Sequence, residues 1–189
     1  IFAPILKNEY HNLIKRKIDA DRFANIFVNS ILEITENGFG DIKEMITEDA
    51  AFTCEPVIQE GHADQFLLII TVGNLEYLDE HFDADEAQEI KKLIIQKFAG
   101  IYGVTYREFE DWINHTKSLI SSVNHPSKNT LYGMSKALFH QFDLNQYQEP
   151  YFRKLKNPNP LFLKRMDEVM SNFLWDWDQF FKKHKFHLN

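Results

Sequence analysis

The sequence predicts an all-α protein, and three observations lead to this fold class. Only 7 glycines and 6 prolines occur among 189 residues, whereas all-β folds use both types at their frequent turns. Apolar residues recur at helical spacing over most of the chain. The segments between these amphipathic stretches are short, which favours antiparallel packing of neighbouring helices. We therefore expect an irregular bundle of about seven to nine helices in a single helical domain, residues 1–189.

Three helices are predicted in the N-terminal part of the chain. The first covers residues 4–18, which carry an apolar stripe at helical spacing. Asp19 or Asp21 caps the second helix, because a short acidic side chain can accept hydrogen bonds from the first free backbone N–H groups. The sequence NGFG at residues 37–40 is expected to end that helix, since Asn and Gly tolerate positive φ. A short third helix then begins at Asp41.

Residues 51–72 have two interpretations. Apolar and polar side chains alternate at the start of this segment, and a strand there would pair with residues 66–72 in a small β-hairpin. The alternative, which we favour, is a long buried helix that begins at Asp64. That helix would contain Gly73, which costs about 1 kcal/mol relative to alanine unless a neighbour packs closely against it.

Two capping boxes predict the starts of the next two helices. In each box an N-cap side chain bonds the backbone three residues later, and the acidic residue there bonds back. Asp83 with Glu86 forms the first pair, and Thr105 with Glu108 forms the second. These are the most specific local signals in the chain.

A last helix is predicted to follow the sequence NPNP at residues 157–160 and to run from 161 to about 185. On a helical wheel, Trp177 lies on the apolar face and Trp175 lies nearly opposite. Polar neighbours surround Trp175 on that wheel, among them Glu168, Asp178 and Lys182.

The isolated position of Trp175 predicts a partner-binding surface formed with these three polar neighbours. Tryptophan is enriched among the residues that dominate binding energy, and a polar rim is typical of such surfaces. Two alternatives remain open for this tryptophan. Residues 142–152 of the same chain could cover the ring, or the ring could form the wall of a ligand pocket.

One polar cluster suggests a metal site. Glu108, Asp111 and His115 share one flank of the helix that Thr105 caps, and His81 in the preceding segment is a candidate fourth ligand. Such a set would hold one divalent transition metal. The alternative is a hydrated helix flank, which we favour because no second half-site with matching spacing is present.

Charge and cysteine content exclude some classes of function. The net charge is −7 and the isoelectric point is about 5.6, whereas nucleic-acid binders present clustered Lys and Arg to phosphates. No apolar run is long enough to cross a membrane, so neither nucleic acid nor a membrane is an expected partner. A single cysteine, Cys54, is expected to be buried and inert, which suits a cytoplasmic protein without disulfides.

The sequence therefore predicts an acidic, cytoplasmic, helical protein-interaction or regulatory module without catalytic activity and without a cofactor. Phosphate-binding loops, nucleophile elbows and metalloprotease motifs are absent from the sequence. The expected partner is another protein or a second copy of this chain. A metal-dependent enzyme is the first alternative, and a small-molecule sensor with an apolar cavity is the second.

Overall fold

The computed structural model describes residues 16–125 and 127–186, and its elements are almost entirely helical. The helices are α1 Ala20–Thr47, α2 His62–Glu76, α3 Leu78–His81, α4 Ala84–Tyr102, α5 Tyr106–Val123, α6 Thr130–Gln141, α7 Pro150–Leu155, α8 Pro160–Met170 and α9 Trp177–Lys183. Short 3₁₀ turns occupy Leu144–Tyr147 and Ser171–Phe173. The all-α class is thus confirmed. The predicted number of helices stays a prediction, because residues 1–15 lie outside the described ranges.

A two-stranded parallel sheet joins the two ends of the described chain. Strand β1 is Arg16–Ile18 and strand β2 is His184–Phe186, with Ile18 opposite Phe186. The predicted helix 4–18 lies mostly outside the described residues, and its last three positions belong to β1 instead. Pairing of these residues with a segment far along the chain is a tertiary effect that local periodicity does not encode.

Helix α2 is the central element, and it decides between the two interpretations of residues 51–72. It packs against α1, α5 and α6, and ten of its 15 residues are buried. Residues 66–72 lie within it, so the hairpin alternative is wrong for this segment and a helix is confirmed, although it begins at His62 and not at Asp64 and ends at Glu76. A helix that is covered over most of its surface has no continuous polar stripe, which explains why its sequence resembled a buried strand.

Two glycines permit close helix packing. Helix α1 is a continuous helix of 28 residues, so the prediction that residues 37–40 end it is wrong. A Cβ atom on Gly38 would collide with the ring of Phe173, and one on Gly73 would collide with Met134. The glycines therefore serve tertiary contact, and Gly73 has the close neighbour that a glycine inside a helix requires.

Both predicted capping boxes are present. The Asp83 carboxylate accepts from the Glu86 backbone at 3.0 Å, and the Asp83 N–H donates to the Glu86 side chain at 3.4 Å. Thr105 and Glu108 make the equivalent pair at the start of α5. Gly103, with φ of 66°, ends α4 in the left-handed conformation and allows the tight turn into α5.

The predicted last helix is interrupted by an extended break between α8 and α9. Asn74, fully buried on α2, donates from Nδ2 to the Phe173 carbonyl and accepts the Trp175 N–H at Oδ1, both at 2.9 Å. These bonds satisfy two backbone groups that a continuous helix would have paired internally. Trp175 consequently lies in the break and not on a helical face.

Candidate functional site

Trp175 does not stand alone on a charged surface, so the geometric premise of its predicted role is wrong. Its ring is half-buried and packs against Trp177 at 5.0 Å and Phe180 at 5.1 Å between ring centroids. Phe27 on α1 lies 6.5 Å away on the same cluster. The covering residues belong to α1 and α9, whereas the sequence pointed to residues 142–152. A partner contact at this position stays a prediction.

The polar neighbours predicted for Trp175 are dispersed by the same break. Glu168 lies on α8, with one carboxylate oxygen 4.0 Å from the Lys164 ammonium. Asp178 and Lys182 are on α9, and Asp178 is exposed and faces His81 at 3.4 Å. The four residues therefore do not form one surface through a shared helical face.

The predicted metal ligands are not brought together either. The Glu108 carboxylate accepts from the Thr105 backbone at 2.8 Å and from its hydroxyl at 2.7 Å, and these bonds hold the pKa of Glu108 below its ordinary value. The His81 ring stacks on Phe181 at 5.0 Å. Throughout the described ranges, no group of three or more His, Cys, Asp or Glu side chains could hold a metal ion.

Cys54 is also placed differently from the prediction. It is a free and exposed cysteine in the irregular segment between α1 and α2, whereas the sequence analysis expected it to be buried. The neighbouring backbone is held by a bridge from Phe52 to Gln148 and by the Thr53 N–H, which donates to the Tyr147 carbonyl at 2.8 Å. These contacts hold Phe52 partly buried and leave the next side chains in water.

A small cleft between α2, α4 and α5, called the Trp112 cleft below, has the features of a binding site. Its volume is about 290 Å³, and the residues that line it are Asp64, Gln65, Leu68, Tyr102, Phe109 and Trp112. Trp112 is 39% exposed, although it adjoins the buried Phe109 and Ile113 on α5. Exposed tryptophan beside a concave apolar surface is characteristic of recognition sites.

The aromatic walls of the Trp112 cleft are held in fixed mutual orientations. The Tyr102 and Trp112 rings meet edge to face, with centroids 6.1 Å apart and an interplanar angle of 88°. Phe109 packs against Trp112 at 5.6 Å and stacks on Phe98 at 5.3 Å. Because Phe98 and Phe109 are fully buried, they anchor the exposed rings to the core. The cleft is therefore formed before any ligand arrives.

Two oxygen acceptors stand at the α2 side of this cleft. Asp64 lies in the first turn of α2 and accepts a hydrogen bond from the Tyr102 hydroxyl at 3.3 Å. The neighbouring Gln65 carbonyl oxygen Oε1 is buried and has no hydrogen-bond partner among the described residues. A buried acceptor without a donor costs about 1–3 kcal/mol.

Several carboxylates lie near the cleft. Burial, together with the negative charges of Asp64 and Glu36, raises the pKa of Tyr102 to about 12, so its hydroxyl remains a donor. Glu108 and Asp111 are exposed on the same flank of α5 as Trp112, at helical spacing from it. The cleft thus combines aromatic walls with acidic surroundings, which is the composition that attracts cationic side chains.

The cleft was missed in the sequence because its parts come from three helices. One local signal was present: Trp112 follows Glu108 by four residues and Asp111 by one, so it stands beside the flank that was considered as a metal site. A tryptophan on a polar flank was recognised at Trp175 but not here, because Trp112 also adjoins the apolar stripe.

Comparisons with known proteins give no family for this chain. No protein-family model, curated protein or solved structure matches it significantly. Within the described ranges, no helix has both the length and the apolar character needed to span a bilayer.

Proposed function

We propose that this protein is a protein-interaction module that binds a basic segment of a partner protein through the Trp112 cleft. The observation that carries the proposal is the exposed Trp112 over an apolar cleft that is also lined by the exposed Asp64. In this proposal the module acts without catalysis, and it is cytoplasmic, as its single cysteine suggests.

An arginine side chain fits this arrangement chemically. Its aliphatic stem would lie against Leu68 and the aromatic walls, and its planar guanidinium would donate to the two carboxylate oxygens of Asp64. Lysine shares the charge but offers a compact donor without the planar fork. We therefore expect arginine to bind better than lysine.

The acidic character of the whole chain supports the same partner. The net charge of −7 would favour the approach of a basic segment and oppose that of an acidic one. Glu36, Glu108 and Asp111 lie around the cleft, and the contribution of such surface charges is expected to fall as salt screens it. Binding should therefore weaken as ionic strength rises.

The affinity expected for one arginine is modest. A cation over an aromatic face contributes about 0.5–2 kcal/mol, and hydrogen bonds to a charged group contribute about 1.5–3 kcal/mol. Their sum of roughly 2–5 kcal/mol corresponds to a Kd between about 0.2 mM and about 30 mM for an isolated residue. A natural partner would add contacts outside the cleft, including the acidic flank of α5.

The test is a titration with short peptides of equal length, acetyl-Gly-Arg-Gly-Arg-Gly-amide and its Lys and Glu counterparts. Heteronuclear NMR suits the expected affinity. We expect the Arg peptide to bind, the Lys peptide to bind more weakly and the Glu peptide not to bind. Asp64→Asn and Trp112→Ala should each weaken Arg binding about tenfold, whereas the exposed control Glu89→Gln on α4 should not.

Three results would contradict the proposal. The first is equal binding of the Arg and Glu peptides, since charge complementarity would then have no role. The second is unchanged affinity in folded Trp112→Ala, which would place binding elsewhere. The third is absence of binding by any peptide at about ten times the expected Kd.

A further inference from the structure

Exposed apolar side chains are concentrated on the segment that runs from α7 to the start of α8. Tyr151 is 68% exposed, Leu155 is 50% exposed and Leu161 is 66% exposed. These are three of the six large hydrophobic side chains that are exposed in the described part of the chain, and they lie within eleven residues. No residue of α7 is buried. Such a concentration of exposed apolar side chains is typical of an interaction surface.

The same segment is basic, although the protein as a whole is acidic. Residues 150–166 contain five Lys and Arg residues and no Asp or Glu, whereas the net charge of the chain is −7. Arg153, Lys154 and Lys156 are exposed, and within the described ranges none of the three forms an ion pair with a carboxylate. These three cations and the three apolar side chains together are called the α7 surface below.

Hydrogen bonds hold the backbone of the α7 surface in place. The Asn145 side chain donates to the Arg153 carbonyl at 3.2 Å. The fully buried Gln148 side chain donates to the Asn157 carbonyl at 2.9 Å and accepts the Asn159 N–H at 2.6 Å. These bonds fix the turn between α7 and α8. Because this backbone is already ordered, docking of the surface does not require a further loss of backbone entropy.

We propose that the α7 surface docks on the surface of an anionic lipid bilayer. The three cations would pair with the anionic headgroups, and the apolar side chains would enter the boundary between the headgroups and the acyl chains. Tyr151 suits that boundary because its ring is apolar and its hydroxyl is polar. The contact is peripheral, so it requires no helix that crosses the bilayer.

The composition of the α7 surface favours a bilayer over an acidic protein segment as the occupant. Two of its three cations are lysines, which are depleted in protein–protein interfaces but contribute well at anionic lipid surfaces. Cations and apolar side chains also alternate closely, in the order Arg153, Lys154, Leu155, Lys156. A protein partner would have to match this order with separate pockets and carboxylates. A fluid bilayer adapts to it, because long cationic side chains reach the headgroups while their stems remain in the apolar layer.

The charge of the rest of the chain determines how the protein approaches the bilayer. An anionic surface repels the acidic remainder of the protein and attracts the α7 surface, so only this face is expected to dock. Binding should therefore require anionic lipid and should weaken as salt screens the attraction. The α7 surface shares no residue with the Trp112 cleft, so either proposal can fail without the other.

The test is co-sedimentation of the full chain with two kinds of vesicle in about 0.1 M salt. One kind contains phosphatidylcholine alone, and the other contains phosphatidylcholine with about 30% phosphatidylserine. We expect the chain to bind the phosphatidylserine vesicles at least about tenfold more tightly, and to be released from them at about 0.5 M salt.

A first pair of variants tests the apolar contact. Leu155→Ser is expected to weaken binding to the phosphatidylserine vesicles about fivefold, because serine cannot enter the apolar layer favourably. The matched control is Ile101→Ser on α4, where the isoleucine is 55% exposed. The control should leave vesicle binding unchanged. Both side chains are exposed, and circular dichroism checks that both variants keep the fold.

A second pair of variants tests the charges. Lys154→Gln combined with Lys156→Gln is expected to weaken binding to the phosphatidylserine vesicles at least about tenfold. The matched control is Lys43→Gln combined with Lys92→Gln, which removes two exposed lysines from α1 and α4. The control removes the same net charge, so an effect of overall charge alone would appear equally in both double variants.

Four results would overturn the proposal. The chain could bind both kinds of vesicle equally, or it could bind neither at about 1 mM accessible lipid. Folded Leu155→Ser and the folded Lys154/Lys156 double variant could both bind as the parent does. Finally, the peptide acetyl-Glu-Leu-Glu-Leu-Glu-amide could shift the NMR signals of α7 while the vesicles do not bind. The α7 surface would then take an acidic protein segment and not a bilayer.

Discussion

Removing the side chain of Asn74 should release the segment that connects α8 to α9. Asn74 is fully buried, and its amide bonds the Phe173 carbonyl and the Trp175 N–H at 2.9 Å each. A third bond, at 2.9 Å, goes to the Ile70 carbonyl within α2. The substitution Asn74→Ala deletes all three and leaves two backbone groups of the connecting segment without these partners.

The expected cost follows from these bonds. A buried backbone group that loses its partner costs about 1–3 kcal/mol, so two such groups cost roughly 2–6 kcal/mol. Loss of the bond to the Ile70 carbonyl adds little, because that carbonyl keeps its backbone partner within α2. Alanine also has a higher helix propensity than asparagine, which recovers about 0.5 kcal/mol. We therefore expect a loss of about 3–4 kcal/mol. For a chain of this length that corresponds to a fall in Tm of roughly 10 °C.

Urea unfolding followed by circular dichroism and by tryptophan fluorescence measures this loss. The matched control is Asn25→Ala on α1, where the exposed amide donates to the Asp21 carboxylate at 3.1 Å. The control should change the unfolding free energy by less than about 0.5 kcal/mol. A cost below about 1 kcal/mol for Asn74→Ala, or an equal cost for the control, would refute the reasoning.

Three further predictions concern packing, pH and Trp175. Gly73→Ala should lower the free energy of unfolding in urea by about 1–3 kcal/mol, because the new Cβ atom meets Met134. Gly100→Ala on α4 should raise it by up to about 1 kcal/mol, because its Cβ atom faces open space. A change of the same sign in both variants would contradict this prediction. Burial raises the pKa of Asp167, so the native state keeps a proton that the unfolded state has released, and stability falls as pH rises above the ordinary value of 3.8. Asp167→Asn should therefore become more stable relative to the parent as pH rises above that value. Free energies of unfolding that change with pH in parallel for the two proteins would refute this prediction. Trp175→Ala should lower the free energy of unfolding by about 2–3 kcal/mol, because the ring packs against other residues of its own chain. The mass measured by light scattering should not change. A lower mass would indicate that Trp175 lies in a subunit interface.

Local chemistry made some elements predictable from the sequence. The capping boxes at Asp83 and Thr105 were predicted because their bonding partners lie three residues away. The all-α class followed from scarce turn residues and helical periodicity. The capping bonds join residues that are close in sequence, and the fold class follows from the composition of the whole chain. Neither prediction requires knowledge of contacts between distant residues.

Other features depend on contacts between distant residues. The break before α9 depends on Asn74, which lies 101 residues before Trp175. The glycine at position 38 is a packing contact for Phe173 and not a stop signal. No local pattern contains these partners, so the helical wheel placed Trp175 on a face that does not exist.

The candidate site also depends on contacts between distant residues. The flank of Glu108 and Asp111 was identified, but it was interpreted only as a hydrated helix flank or a metal site, because Asp64 and Gln65, on another helix, were not part of the pattern. The role of each tryptophan was predicted only from its position on a helical wheel. The cleft beside Trp112 is formed together with residues of two other helices, so the sequence of α5 alone does not encode it.

The most direct measurement is a two-dimensional NMR titration of the three tryptophan indole N–H signals with the arginine peptide. Trp112→Phe assigns one signal, and Trp175 and Trp177, which lie in the aromatic cluster between α1 and α9, provide internal controls. The proposed function predicts that the Trp112 signal shifts with the peptide and that the other two stay in place. A shift confined to Trp175 or Trp177, or no shift at saturating peptide, would contradict binding at the Trp112 cleft.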